Sequence, residues 1–145
     1  MIKGYFESYV YYGGNAKEAM ESYARIFELE GNDVYNMTAD EVPEGGMDEM
    51  GGLEGVIHGS LNFGNSHLMV SDDKPENITP GNQHYLSWAS ESLEDTKKIW
   101  QRFLDEGAEV LMPLEPAFWS PAFGIVKDRF GIQWMIQNFV PTFGE

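Results

Sequence analysis

The pattern of apolar and polar positions changes period along the chain, and each change marks an element. Residues 5–12 read Tyr-Phe-Glu-Ser-Tyr-Val-Tyr-Tyr, with Glu7 and Ser8 as the only non-aromatic polar positions, which predicts a strand. Gly13 and Gly14 break it. Ala16, Ala19, Met20, Tyr23, Ile26 and Phe27 then recur at spacings of three and four, the signature of a helix with one buried face. Asn15 is placed to cap that helix, with Glu18 three residues on, and Gly31 to end it after residue 30. A short strand is expected over 33–39. Residues 40–55 mix acidic and methionine positions with glycine and show no helical period, so they read as an acidic loop, a candidate lid.

Residues 56–63 alternate again, with His58, Ser60 and Asn62 on one face and Ile57, Leu61 and Phe63 on the other. Gly64-Asn65 turns this strand into the next, over 67–70. Residues 71–82 are polar, carry Pro75 and Pro80, and connect to a second half. There, 84–89 reads as a strand. Leu93, Thr96, Ile99, Trp100, Phe103 and Leu104 form the apolar stripe of a helix that Ser92 caps and Gly107 ends, and a strand follows over 108–114.

The most specific stretch is 115–138, which predicts an aromatic hairpin. Phe118, Trp119 and Phe123 lead into its first strand, and Asp128-Arg129-Phe130-Gly131 makes the turn, because Gly131 tolerates the positive φ that closes such a loop. Along the second strand Trp134 and Ile136 alternate with Gln133, Met135 and Gln137. One face belongs to a core; the other is either pocket wall or ordinary sheet interior.

Composition narrows the function. With 145 residues, 42% of them hydrophobic, the chain is one domain or two small modules sharing a sheet. A net charge of -15 with nine basic residues argues against binding nucleic acid, whose phosphates require clustered Lys and Arg. No Lys or Arg occurs between Arg25 and Lys74, and such a field would draw in a cationic ligand. The absence of cysteine excludes disulfides and thiolate metal sites. The start lacks the pattern of a signal peptide and no stretch could span a bilayer, so a cytoplasmic location and no membrane partner are expected. Gly13-Gly14 is no phosphate loop, since neither G-x-G-x-x-G nor Gly-Lys-Ser/Thr follows, and no nucleotide or methyl-donor site is visible.

Strand, helix and three strands thus occur twice. Ala16 and Leu93, Ala19 and Thr96, Tyr23 and Trp100, and Ile26 and Phe103 each stand 77 positions apart, which suggests an internal duplication. The expected organisation is one α+β domain over 1–145, built from βαβββ modules 1–73 and 82–145 joined by a linker, 74–81.

A repeated βαβββ unit resembles the vicinal oxygen chelate superfamily of glyoxalase I, extradiol dioxygenases and bleomycin resistance proteins. The residues are most similar to its PhnB-like branch: Gly14-Asn15-Ala16-Lys17-Glu18-Ala19, Val56-Ile57-His58, Leu68-Met69-Val70-Ser71-Asp72, Phe118-Trp119, Asp128-Arg129-Phe130-Gly131 and Trp134-Met135-Ile136. The resemblance implies a cupped mixed β-sheet with helices outside, a homodimer, and a small-molecule site in the cup. In metal-dependent members one divalent ion (Zn, Mn, Fe or Ni) is held there. The matching positions here are His58, His84 and Glu7 or Ser8, with Met135 where a fourth ligand would stand. Glu7 is the candidate for catalytic proton transfer. The alternative is a metal-free protein that sequesters a planar or cationic compound, as bleomycin-binding relatives do, in a pocket walled by Trp88, Phe118, Trp119 and Met135.

Overall fold

The computed structural model describes residues 1–49 and 55–141, which fall into two compact units, Met1–Thr79 and Pro80–Glu145. In the first, β1 (Ser8–Tyr12) is followed by α1 (Ala16–Phe27), β2 (Val34–Asn36), the four-residue α2 (Gly46–Glu49), β3 (Gly59–Asn62) and β4 (His67–Asp72). The sheet order is β1-β4-β3-β2, with β1 parallel to β4 and the other pairs antiparallel. Strand alternation sends Val10, Leu61, Leu68 and Val70 toward α1, where Tyr23 and Ile26 complete a core sealed by a buried Tyr12–Tyr23 hydroxyl pair at 2.8 Å.

β1 starts three residues later than its aromatic run predicts. Ser8 pairs with Leu68, and β4 itself begins at His67, so Tyr5 and Phe6 have no strand to pair with and stand fully exposed. α1 also differs at both ends. Its last turn closes with Glu28 in the left-handed region (φ 57) instead of running on to Gly31, and the Asn15 side chain makes no capping bond. The cap comes from Asp72 at the end of β4. Its carboxylate accepts from Gly14 N–H at 3.0 Å and Ala16 N–H at 2.9 Å through Oδ1, and from Val56 N–H at 2.8 Å through Oδ2. Residues 71–72, expected in the connection, are therefore the buried end of a strand. The expected acidic loop holds a 3-10 turn at Ala39–Glu41 and α2, and its residues 50–54 lie outside the described residues.

The second unit repeats the plan with β5 (Leu86–Ser90), α3 (Leu93–Asp105), β6 (Glu109–Ala117), β7 (Ser120–Lys127) and β8 (Gln133–Asn138), in the order β5-β8-β7-β6. Ser92 Oγ accepts from Asp95 N–H at 3.0 Å and caps α3 from within its own turn. Asn138, paired with Ser90 as Asp72 is with Tyr12, donates to the Ser90 carbonyl at 2.9 Å. β6 runs past its expected end to Ala117, so Phe118 and Trp119 form the two-residue turn of the β6–β7 hairpin. The β7–β8 turn closes with Gly131 at φ 90, as its sequence predicts.

One close approach recurs in both units. A Cβ on Gly59 of β3 would meet Met20 Sδ at 2.6 Å, and one on Gly124 of β7 would meet the Trp100 ring at 2.7 Å. In each unit glycine in the third strand admits a helix side chain to the sheet. Among the described residues, no helix is long and apolar enough to cross a membrane.

Candidate functional site

Each sheet carries its helix on one face and leaves the other open; the chemistry of the chain lies on the open faces. In the first unit, residues of the parity of Tyr9 and Tyr11 point away from α1, and across the sheet they align with Met69 and Ser71, with Ser60, and with Tyr35. His58 lies just ahead of β3 on the same side. It is held there because Ser71 Oγ donates to the Ile57 carbonyl at 2.8 Å and Met37 N–H to the His58 carbonyl at 2.8 Å.

Around His58 the rings gather. Tyr9 Oη lies 2.9 Å from His58 Nδ1, and the two ring centroids are 5.7 Å apart. Tyr11 packs on Tyr9 at 5.2 Å, and Tyr35 meets the imidazole edge-on at 6.5 Å. Burial raises the Tyr9 phenol above its ordinary value, as does the neighbouring Tyr11 hydroxyl, with the Ser71 hydroxyl acting the other way. The Tyr35 hydroxyl donates to the Glu41 carboxylate, whose other oxygen accepts from Thr38 N–H at 3.3 Å and Thr38 Oγ1 at 3.2 Å. That contact pushes the Tyr35 phenol up and, together with Thr38 N–H, holds the Glu41 carboxyl below the usual carboxylate range.

The open face of the second unit is more apolar. Met135 and Gln137 on β8 align with Ile125 and Phe123 on β7, and Met112 and Glu115 on β6 continue the rows. The Trp119 ring stands edge-on to Phe123 at 5.2 Å and to Phe118 at 4.6 Å, with Phe118 itself 84% exposed at the hairpin tip.

Of the residues singled out in the sequence, Met135 lies on an open face, Trp119 joins that face through Phe123, and His58 lies on the other. Glu7 is exposed ahead of β1, and Ser8 sits on the helix side. His84 precedes β5, which begins at Leu86, and is exposed. Trp88 pairs with Ile136 in the parallel register, which places it on the helix-facing side instead of in a pocket wall. Tyr9, Tyr11, Tyr35 and Ile125 were not singled out, and Phe123 was named only as part of the hairpin, although Tyr9 and Tyr11 share the parity of Glu7 and follow from its assignment to a face.

Within each unit taken by itself, the described residues bring few ligands for a divalent ion together. In the first unit His58 is surrounded by phenols, and in the second the open-face positions of β5 are Ser87 and Ala89, opposite the thioether of Met135. Within either unit no three His, Asp or Glu side chains, among the described residues, gather so as to hold a metal.

The family described as 3-demethylubiquinone-9 3-methyltransferase matches residues 5–137. Protein YjdN of Escherichia coli is 26% identical over 136 residues, covering 88% of this chain and 90% of its own length. Protein PA1353 of Pseudomonas aeruginosa superposes with a TM-score of 0.76 at 26% identity, over 94% of this chain and 98% of its own. The PhnB protein of Bacillus cereus does so with a TM-score of 0.68 at 21% identity, over 93% and 99%.

Proposed function

Since the chain belongs to the family described as 3-demethylubiquinone-9 3-methyltransferase, a PhnB-like branch of the glyoxalase/bleomycin resistance/dioxygenase superfamily, we propose that its open sheet faces bind a small molecule without a metal ion. The observation that carries this reading is the side-chain chemistry of those faces. Phenol rings surround His58, and Phe123, Ile125 and Met135 occupy the second unit's face, where a chelating site would need carboxylates and imidazoles. Rings and a thioether favour a ligand with a flat apolar portion, through stacking and S–aromatic contact.

The methyltransferase of the family's description is not carried over to this chain. The N–H groups of Gly14 and Ala16 already donate to the Asp72 carboxylate, so the Gly13-Gly14 turn is not offered as a phosphate cradle either. Glu7, exposed ahead of β1, is given no catalytic step. A homodimer in the cytoplasm completes the proposal. The exposed Met1, Ile2, Tyr5 and Phe6 support pairing, and light scattering would give about twice the 16.4 kDa chain mass.

The test is a tryptophan-fluorescence titration with a panel of planar aromatic compounds, beside metal analysis of protein purified without a histidine tag. Binding that weakens about tenfold in Phe123→Ala supports the proposal, on the scale of a buried aromatic contact. Near-stoichiometric metal that disappears in His58→Ala would overturn it.

A further inference from the structure

We propose that the open face of the first unit takes a small organic cation, a tertiary or quaternary amine, held by Tyr9, Tyr11 and Tyr35. This rests on the small-molecule reading above and adds the charge of the ligand and the unit that recognises it.

Three observations meet at this face. The first is the rings: the three tyrosines are 41%, 55% and 40% exposed around one imidazole, although each is large enough to be worth burying. A cation over such rings is attracted by their quadrupole. The second is fixation. Tyr9 is anchored through its hydroxyl to His58 and Tyr35 through its hydroxyl to Glu41, so both rings lose little freedom when a ligand arrives. Donation to a carboxylate also leaves the Tyr35 ring richer in electrons, which strengthens its pull on a cation.

The third is charge. Residues 1–79 hold fifteen acidic and four basic side chains, and no Lys or Arg lies on any strand of this sheet. A cation is attracted and an anion is repelled. The face also selects for an alkylated amine. The hydroxyl groups of Tyr9, Tyr35 and Ser71 are already bonded to His58, Glu41 and the Ile57 carbonyl, so a primary ammonium, with three donors to place, gains less here than a methylated one with one or none.

The experiment is an NMR titration of the full chain, with labelled tyrosine rings, using choline and its uncharged isostere 3,3-dimethylbutan-1-ol. The expected result is choline binding about tenfold tighter than the neutral probe, with Tyr9 and Tyr35 signals moving. Tyr35→Leu should weaken choline about fivefold and Tyr35→Phe by about twofold to threefold, because the ring makes the contact while the hydroxyl only fixes and enriches it. His58→Arg, which sets a fixed cation among the rings, should abolish choline binding. Each variant is compared by near-ultraviolet circular dichroism, so loss of fold is separated from loss of site.

Equal affinity for the two probes, or choline binding indifferent to both Tyr9→Leu and Tyr35→Leu, overturns the inference. If planar aromatics still bind through Phe123 in that case, the small-molecule reading stands and only the cation falls. If nothing binds and Tyr9→Leu turns a dimer into a monomer, the face is a contact between copies and both readings fall.

Discussion

The indole N–H of Trp134 donates to the Asp128 carboxylate at 3.0 Å, tying the β7–β8 turn to the core residue six positions on. The same carboxylate accepts from Phe130 N–H at 3.0 Å and Ile132 N–H at 2.9 Å, so one buried side chain closes the turn and anchors the ring beneath α3. Asp128→Ala strands three buried or half-buried donors and is expected to cost about 3 kcal/mol. Asp128→Asn keeps an acceptor for the turn but sets an amide against the indole, at about half that cost. Urea unfolding followed by tryptophan emission checks the order; equal stabilities for parent and Asp128→Ala would refute it.

Gln133, at the start of β8, is buried with its Nε2 bonded to nothing among the described residues. An unmet buried donor costs about 1–3 kcal/mol, so Gln133→Met, similar in length and without the donor, is expected to raise stability by about 1 kcal/mol. A fall in the urea midpoint instead would mean that this amide has a partner in solution.

The Tyr35–Glu41 contact gives a pH dependence of determined sign. Glu41 is lowered, first by the Tyr35 hydroxyl, so its contribution is present above the ordinary carboxyl value and lost as pH falls through the lowered one. Tyr35 is raised, first by Glu41, so its share is present below the ordinary phenol value and lost as pH rises through the raised one. The contact is complete between those limits. An absorbance titration of tyrosinate, with Tyr35→Phe as the difference reference, should show this phenol ionising late, and Glu41→Gln should return it toward 10.0. No change in Glu41→Gln would disprove the contact.

The two sheet glycines should not tolerate alanine equally. At Gly124 the added Cβ would lie 2.9 Å from Leu114 Cα as well as against the Trp100 ring, and backbone cannot give way; about 2–3 kcal/mol is expected. At Gly59 it meets the end of the flexible Met20 side chain, and about 1 kcal/mol is expected. Thermal denaturation of the two variants decides the order.

Element type and order were legible in the sequence because helix and strand periods are strong in both halves. Ends were not, because partners set them. The run from Tyr5 reads as strand, yet β1 starts only at Ser8, where β4 begins to offer a neighbour. Phe118-Trp119 reads as the lead into a strand and not as a turn of its own, because the turn it forms contains none of Gly, Asn, Asp or Pro. Of the residues on the open faces, His58 and Met135 are the ones that family position pointed to. Trp88 was placed on the wrong face, since β5 presents Ser87 and Ala89 openly. The tyrosine cluster was missed because its members come from β1 and β2, and only the register brings Tyr9 and Tyr35 into one row.

Asp72 and Ser92 begin equivalent helices by unlike means, and the difference lies in time as well as in space. Ser92 sits beside the turn it caps, so α3 can start as soon as its own residues are present. The first turn of α1 waits for a carboxylate 56 residues further along the chain. Two copies of one design are thus expected to acquire structure in a fixed sequence, the later-encoded helix first. Pulse-labelled hydrogen exchange during refolding would show amides of 93–105 protected before those of 16–27, and Asp72→Ala would delay only the second group.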